Sequence, residues 1–349
     1  MNLTNATLTL TNGVGVGFYG RNALYLRAGA KLVSEGGPVS MNRLVRCTLV
    51  QEQPVVLGAT AVGHLEVAGS YSPRPLIQMR FTDLPAAGGS SLAESRYLSY
   101  GFYPIERVTL RDCWLRGGSL EFHPTDSVEV TFAMTNNLVE RGSLYFSHGY
   151  GSTNTPMSVY LYNNLFWAGT LNLEYTYGTP ISYNPNLNWY VYDNALDNVS
   201  LSESGTAPDI YIRNGNNGYV NTSTLIYGTS NVIVGAFTYT NSWLGNFYQV
   251  STNFLNKGSR GAAVAGLYHH TVLASQAKET SSVVDLGFHN IAVDASGIPI
   301  DSDGDGTPDY LEDVNGDGNG ANDPTSWLLY NSPNGLSGGN GLQVFTPLK

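Results

Sequence analysis

LRDCWLRGGSLEF (Leu110–Phe122), MTNNLVERGSLYF (Met134–Phe146), LYNNLFWAGTLNL (Leu161–Leu173) and VYDNALDNVSLSE (Val191–Glu203) align without a gap, at offsets of 24, 27 and 30 residues. Four matches in register mean a repeat whose core is constant while its connection lengthens. Ahead of the polar pair, Val108/Leu110, Phe132/Met134, Val159/Leu161 and Trp189/Val191 are spaced by two, the period of a strand with one buried face. Asp112-Cys113, Asn136-Asn137, Asn163-Asn164 and Asp193-Asn194 follow; short amides and acids tolerate left-handed backbone, so a turn is expected here. A second short strand is expected at Ser119-Leu120, Ser143-Leu144, Thr170-Leu171 and Ser200-Leu201, with Trp167 in the loop between strands. One such lap cannot bury its apolar face, but stacked laps share a core. Like residues then lie above one another, giving an Asn/Asp ladder, a Ser/Thr ladder and a Leu120–Leu144–Leu171–Leu201 column.

These turn pairs, over about residues 100–235, resemble those of right-handed parallel β-helix proteins, the superfamily of pectate lyases, polygalacturonases and many phage tailspikes and surface proteins. The resemblance implies an all-β solenoid and, with the general rule for parallel crossovers, right-handed winding. Asn253–Ser259 followed by Val284–Phe288 is similar to the closing coils of bacterial surface β-helices, with Asn253 where Pro is usual. The expected organisation is a β-helix over residues 1–298, calcium loops over 299–325 and a tail or connector over 326–349. In the N-terminal third, Leu8–Gly13 and Leu24–Gly29 read as early coils and Gln51–Asp83 as further strands. Residues 84–101 read as a loop or short helix leaving the stack.

Composition agrees. Of 349 residues only 13% are charged, while Gly (40) and Tyr (23) are abundant, which suits stacked strands and turns better than helices. A net charge of −10 with four lysines argues against nucleic acid or an anionic membrane surface as partner. No apolar run reaches membrane-spanning length, so no membrane insertion is expected. The start, Met1-Asn2-Leu3-Thr4-Asn5, is too polar for a signal peptide, so export takes another route or the sequence is a mature chain or a piece. Cys47 and Cys113 read as two small buried hydrophobes or as a disulfide between stacked coils.

The most specific motif is Asp301-Ser302-Asp303-Gly304-Asp305-Gly306-Thr307-Pro308-Asp309-Tyr310-Leu311-Glu312. Ca²⁺ takes six to eight oxygens: Asp301, Asp303 and Asp305 would aim carboxylates inward, Gly306 would make the bend, and Thr307 would offer its carbonyl. Asp309 and Glu312 fill the ninth and twelfth slots. Asp313, Asn315, Asp317, Asn319 and Asp323 form a second, less regular loop, with Pro324 at its twelfth position. Tandem loops of this kind resemble thrombospondin type 3 repeats, which implies shared structural calcium. Pro299 and Pro308 speak against long flanking helices. Calcium dependence at extracellular concentrations, with the β-helix resemblance, points to an extracellular or cell-surface location.

No catalytic residue stands out. Arg107, Arg111, Arg116, Arg141 and Arg213 are the cations of the repeat block, and Arg116 and Glu140 read as an ion pair between rungs. Asp112 and Asp193 are too many rungs apart for paired carboxylate chemistry. His269-His270 and His289 form no recognisable metal pattern. What remains is an aromatic surface, Tyr160, Tyr162, Tyr190 and Tyr192 with Trp167, and Tyr145, Tyr175, Tyr177 and Tyr183 nearby. It suits sugar rings or a protein surface, or else stabilises the solenoid by stacking. The expected function is structural or adhesive, with a polysaccharide or a cell-surface protein as partner. The alternatives are a β-helix lyase or glycoside hydrolase, and a self-associating stalk or fibre.

Overall fold

Each lap of the chain makes three short strands, and like strands stack in parallel into three sheets of 8, 8 and 9 strands. The structure is a computed structural model and describes residues 1–19, 24–47, 65–67, 72–85, 96–100, 105–122, 129–147, 157–174, 176–177, 182–183, 187–204, 212–321 and 323–330. A typical lap is Ser143–Ser147, Met157–Tyr162 and Leu165–Trp167, one strand to each sheet. The chain is therefore an all-β parallel solenoid. Its registers are those of the repeat: Leu120 pairs with Leu144, Leu144 with Leu171, and Leu171 with Leu201.

The strand over Val130–Thr135 alternates buried and half-buried residues along its whole length. Its inward side chains join one continuous core running from Leu3 to Leu225. Aromatic rings fill the middle: Phe132 meets Phe122 of its own lap at 5.0 Å and Phe146 of the next at 4.9 Å, tilted or edge-on, and Phe146 meets Trp189 at 6.5 Å. Full burial of one such ring contributes about 1.5–3 kcal/mol.

The first bend of the lap is the polar pair. Its leading residue is left-handed in successive laps, with φ of 54° at Asp112, 57° at Asn136, 54° at Asn163, 62° at Asp193 and 49° at Asn216. Asn and Asp accept this conformation at lower cost than other residues with a Cβ. The second residue points inward and builds the ladder. Asn137 Oδ1 accepts the Cys113 N–H at 2.9 Å, Asn164 Oδ1 that of Asn137 at 2.9 Å, and Asn194 Oδ1 that of Asn164 at 3.0 Å. Asn217 and Asn231 continue it, each accepting at 3.0 Å. Nδ2 of Asn137, Asn164, Asn194 and Asn217 also donates to a strand carbonyl of the preceding lap, as Asn164 does to Met134 O at 3.0 Å. In this way the turns satisfy backbone groups that the interior would otherwise strand.

The structure differs from the sequence reading in two places. A third strand lies between the two expected ones: Trp114–Arg116, Leu138–Glu140, Leu165–Trp167 and Ala195–Asp197. Trp167 thus ends a strand and does not lie in a loop. Three residues are too few to show a period, and the left-handed bend after them is taken by Gly117, Arg141, Ala168 and Asn198, with no residue type in common. Within 84–101, Thr82–Pro85 and Arg96–Tyr100 are strands of the stack; residues 86–95 lie outside the described residues. Cys113 is a buried free thiol in the ladder position, while the Cys47 side chain lies outside the described residues.

The last parallel strand is Val232–Val234. Two compact units result: Met1–Phe237 with Leu286–Phe288, and Thr238–Asp285 with His289–Lys349. The second carries an antiparallel hairpin (Tyr239–Ser242 with Gly245–Gln249), a short antiparallel pair (His270–Thr271 with Asn290–Ile291) and single helical turns at Ala262–Ala265 and Asp309–Glu312. No described helix is long and apolar enough to cross a membrane.

Candidate metal centre

Asp301, Asp303 and Asp305 present carboxylate oxygens within 4.8 Å of one another. The loop is shaped by its own side chains. Asp301 accepts the N–H groups of Gly304 at 2.8 Å and Gly306 at 2.9 Å, Asp303 that of Asp305 at 3.1 Å, and Asp305 that of Thr307 at 2.8 Å. These contacts curl the chain about the three carboxylates, with Gly304 and Gly306 at φ of 76° and 96°. Pro308 starts the one helical turn Asp309–Glu312.

Twelve residues on, the second loop repeats the pattern. Asp313 accepts the N–H groups of Asp317 at 3.0 Å and Gly318 at 2.6 Å, Asn315 that of Asp317 at 2.9 Å, and Asp317 that of Asn319 at 2.7 Å. Asp313, Asp317 and Asp323 form its group of oxygens within 4.8 Å. Asp323 closes from the far side, accepting the Val314 N–H at 3.1 Å. Asn319 accepts only a long bond from Ala321, at 3.4 Å.

Each group holds one buried oxygen that takes no hydrogen bond of ordinary geometry, Oδ2 of Asp303 and Oδ2 of Asp323. Both carboxyls are pushed above the usual range. Burial is the main cause, and the neighbouring carboxylates add to it: Asp305 and Asp301 for Asp303, Asp313 and Asp317 for Asp323. Oxygens placed about 2.3–2.6 Å from a common centre lie up to about 5 Å apart, so the donor sets fit a hard cation such as Ca²⁺.

Asp309 and Glu312, the expected ninth and twelfth ligands, are not in the three-carboxylate group. Asp309 is buried and turned to other partners: Ser302 N–H at 2.6 Å, Ser302 Oγ at 2.7 Å and Lys278 Nζ at 3.1 Å. Burial alone would raise its pKa, but His269, Ser302 and Lys278 draw it down to about 2. Glu312 is buried at the end of the helical turn.

His269 was invisible as a partner of these loops in the sequence. Its Nε2 lies 2.9 Å from Asp313 Oδ2 and its Nδ1 lies 3.5 Å from Asp309 Oδ2, so one imidazole spans both loops. Burial would lower the His269 pKa, yet the two carboxylates raise it. Asp313 is likewise held low against its burial by His269 and the Gly318 N–H. Trp327 covers this network: its ring lies 5.0 Å from that of His269, and Lys278 Nζ sits 5.2 Å over it. The second loop must lie flat here. A Cβ at Gly316 would collide with Gly266 O, and one at Gly318 with the Tyr268 ring.

On the solenoid, Tyr160 stacks on Tyr190 at 5.2 Å and 10° between planes, and Tyr162 on Tyr192 at 6.0 Å and 14°. Arg213 lies 5.0 Å over the Tyr190 ring and donates to its hydroxyl. Arg141 lies 5.8 Å over Trp167. Each tyrosine thus spends one ring face on its neighbour in the column, and Tyr190 also carries Arg213. Tyr175 lies outside the described residues, as do the side chains of Tyr177 and Tyr183. Arg116 binds Asp83 of the preceding lap through Nε at 2.9 Å, while Glu140 pairs with Arg141. Asp112 and Asp193 hold the left-handed bends. Set against models of protein families, curated proteins and solved structures, the chain matches none.

Proposed function

We propose that the chain is a secreted or cell-surface β-solenoid with a structural or adhesive role, and that Ca²⁺ in the loops of residues 301–323 locks its second unit. The observation that carries this reading is the pair of acidic groups, each with a buried oxygen, on Asp303 and on Asp323, that takes no hydrogen bond of ordinary geometry. Three carboxylates held this close repel one another unless a cation lies between them. Extracellular calcium, at millimolar concentration, suffices for modest sites of this type. The test is a thermal melt and limited proteolysis in calcium and in EDTA. Chelation should lower the melting temperature of the second unit and open it to protease; identical melts and digests refute the lock.

A glycan is the leading ligand class for the solenoid face, favoured by one observation: the tyrosine columns set phenol hydroxyls at the lap repeat on a surface poor in charge. Tyr160→Ala with Tyr190→Ala should abolish binding on a glycan array while the fold persists. A lyase or hydrolase of the β-helix type is the rival, and turnover of a uronate polymer would establish it.

A further inference from the structure

Apart from the acidic loops, the second unit buries two carboxylates and an imidazole together. Glu279 and Asp285 are 7% exposed and His289 is 1% exposed. One donor atom from each lies within 4.8 Å of the other two, and Glu279 Oε1 is 3.0 Å from His289 Nε2. The three residues lie within one short stretch of sequence, and they meet because that segment is pinned. Gly258 N–H donates to Val284 O at 2.8 Å, Ala262 N–H to Ser282 O at 2.8 Å and Val284 N–H to Arg260 O at 3.0 Å. Val284 is buried with Ala262, Ala265 and Leu267 in a small core of its own. At Gly258 a Cβ would collide with Val284, so the two strands of chain touch backbone to backbone.

The donors are also braced from behind. Ser282 Oγ donates to Glu279 Oε2 at 2.6 Å and the Asn256 N–H donates to Asp285 Oδ1 at 2.6 Å. Such outer contacts orient ligands around bound metals.

We propose that Glu279, Asp285 and His289 bind a divalent cation of the zinc class. One imidazole nitrogen with two carboxylate oxygens suits zinc-class ions, whereas the loops offer oxygen alone and suit calcium. Three protein ligands leave a fourth, open position on a tetrahedral ion. The site lies outside the calcium loops, so the two readings stand or fall separately.

The full chain, saturated with calcium to fill the loops, is dialysed against micromolar zinc and its metal content measured. One zinc per chain is expected, with a rise in melting temperature beyond that in calcium alone. His289→Gln and Asp285→Asn should each weaken zinc binding at least tenfold. Should the variants fail to fold, X-ray absorption at the zinc edge of the wild type reads the ligands directly: one nitrogen with oxygens is expected. A wild type that retains no zinc, folded variants that retain all of it, or an all-oxygen edge spectrum would each overturn the site.

Discussion

Asn164→Ala removes one rung of the ladder, and the structure says what that costs. Asn164 Oδ1 accepts from the Asn137 N–H and from Asn137 Nδ2, both at 2.9 Å, and its own Nδ2 donates to Met134 O at 3.0 Å and Asn194 Oδ1 at 2.9 Å. Asn137 Nδ2 keeps Leu110 O at 3.0 Å, and Asn194 Oδ1 keeps the Asn164 N–H at 3.0 Å. Two groups therefore lose this partner in the interior, the Asn137 N–H and the Met134 carbonyl. At about 1–3 kcal/mol for each buried polar group left unsatisfied, the loss is about 2–6 kcal/mol. Asn231 stands at the end of the ladder, is half-buried, and supports the Asn217 N–H at 3.0 Å; Asn231→Ala should cost about 1 kcal/mol. Urea unfolding followed by far-ultraviolet circular dichroism measures both, with the slope unchanged if only stability moves. A loss below about 1 kcal/mol at Asn164, or equal losses at the two positions, would refute the idea that the interior amides carry the turns.

Cys113 should be inert in the native protein. Burial pushes its thiol up to about 12, so the thiolate that alkylating agents need is absent at neutral pH; mass spectrometry should find the Cys113 peptide labelled only after unfolding. Arg213→Ala uncovers the Tyr190 ring at a cost below about 1 kcal/mol, the scale of an exposed cation–π contact, which a melt of the variant would read. In the metal-free protein, burial and the Glu279 carboxylate push Asp285 up from 3.8 to about 7. The folded state then keeps a proton that the unfolded chain releases. Its contribution is full below about pH 4 and is lost as pH rises to about 7. Melts in EDTA should show the second unit weakening across that window, and Asp285→Asn should flatten the slope.

Much of the solenoid was legible because its causes are local. The Asn pairs and the alternation around Phe132/Met134 and Val159/Leu161 state the bend and the buried face in adjacent residues. The third strand was not legible, since Leu165–Trp167 is too short to carry a period and the bend at Ala168 has no distinctive side chain. In the loops the carboxylates of Asp301, Asp303 and Asp305 could be read from spacing. The diversion of Asp309 could not, because Lys278 and His269 reach it only through the packing of a distant segment. The meeting of Glu279, Asp285 and His289 is tertiary in the same sense: nothing in their spacing announces that Gly258 and Val284 touch.

The claim that cations hold the second unit is open to a single binding measurement. Equilibrium dialysis of the full chain at millimolar calcium should find two ions bound, one for each acidic group. Asp303→Asn should weaken one of them and leave the other. A chain that binds no calcium at that concentration, while its circular dichroism shows it folded, would contradict the account.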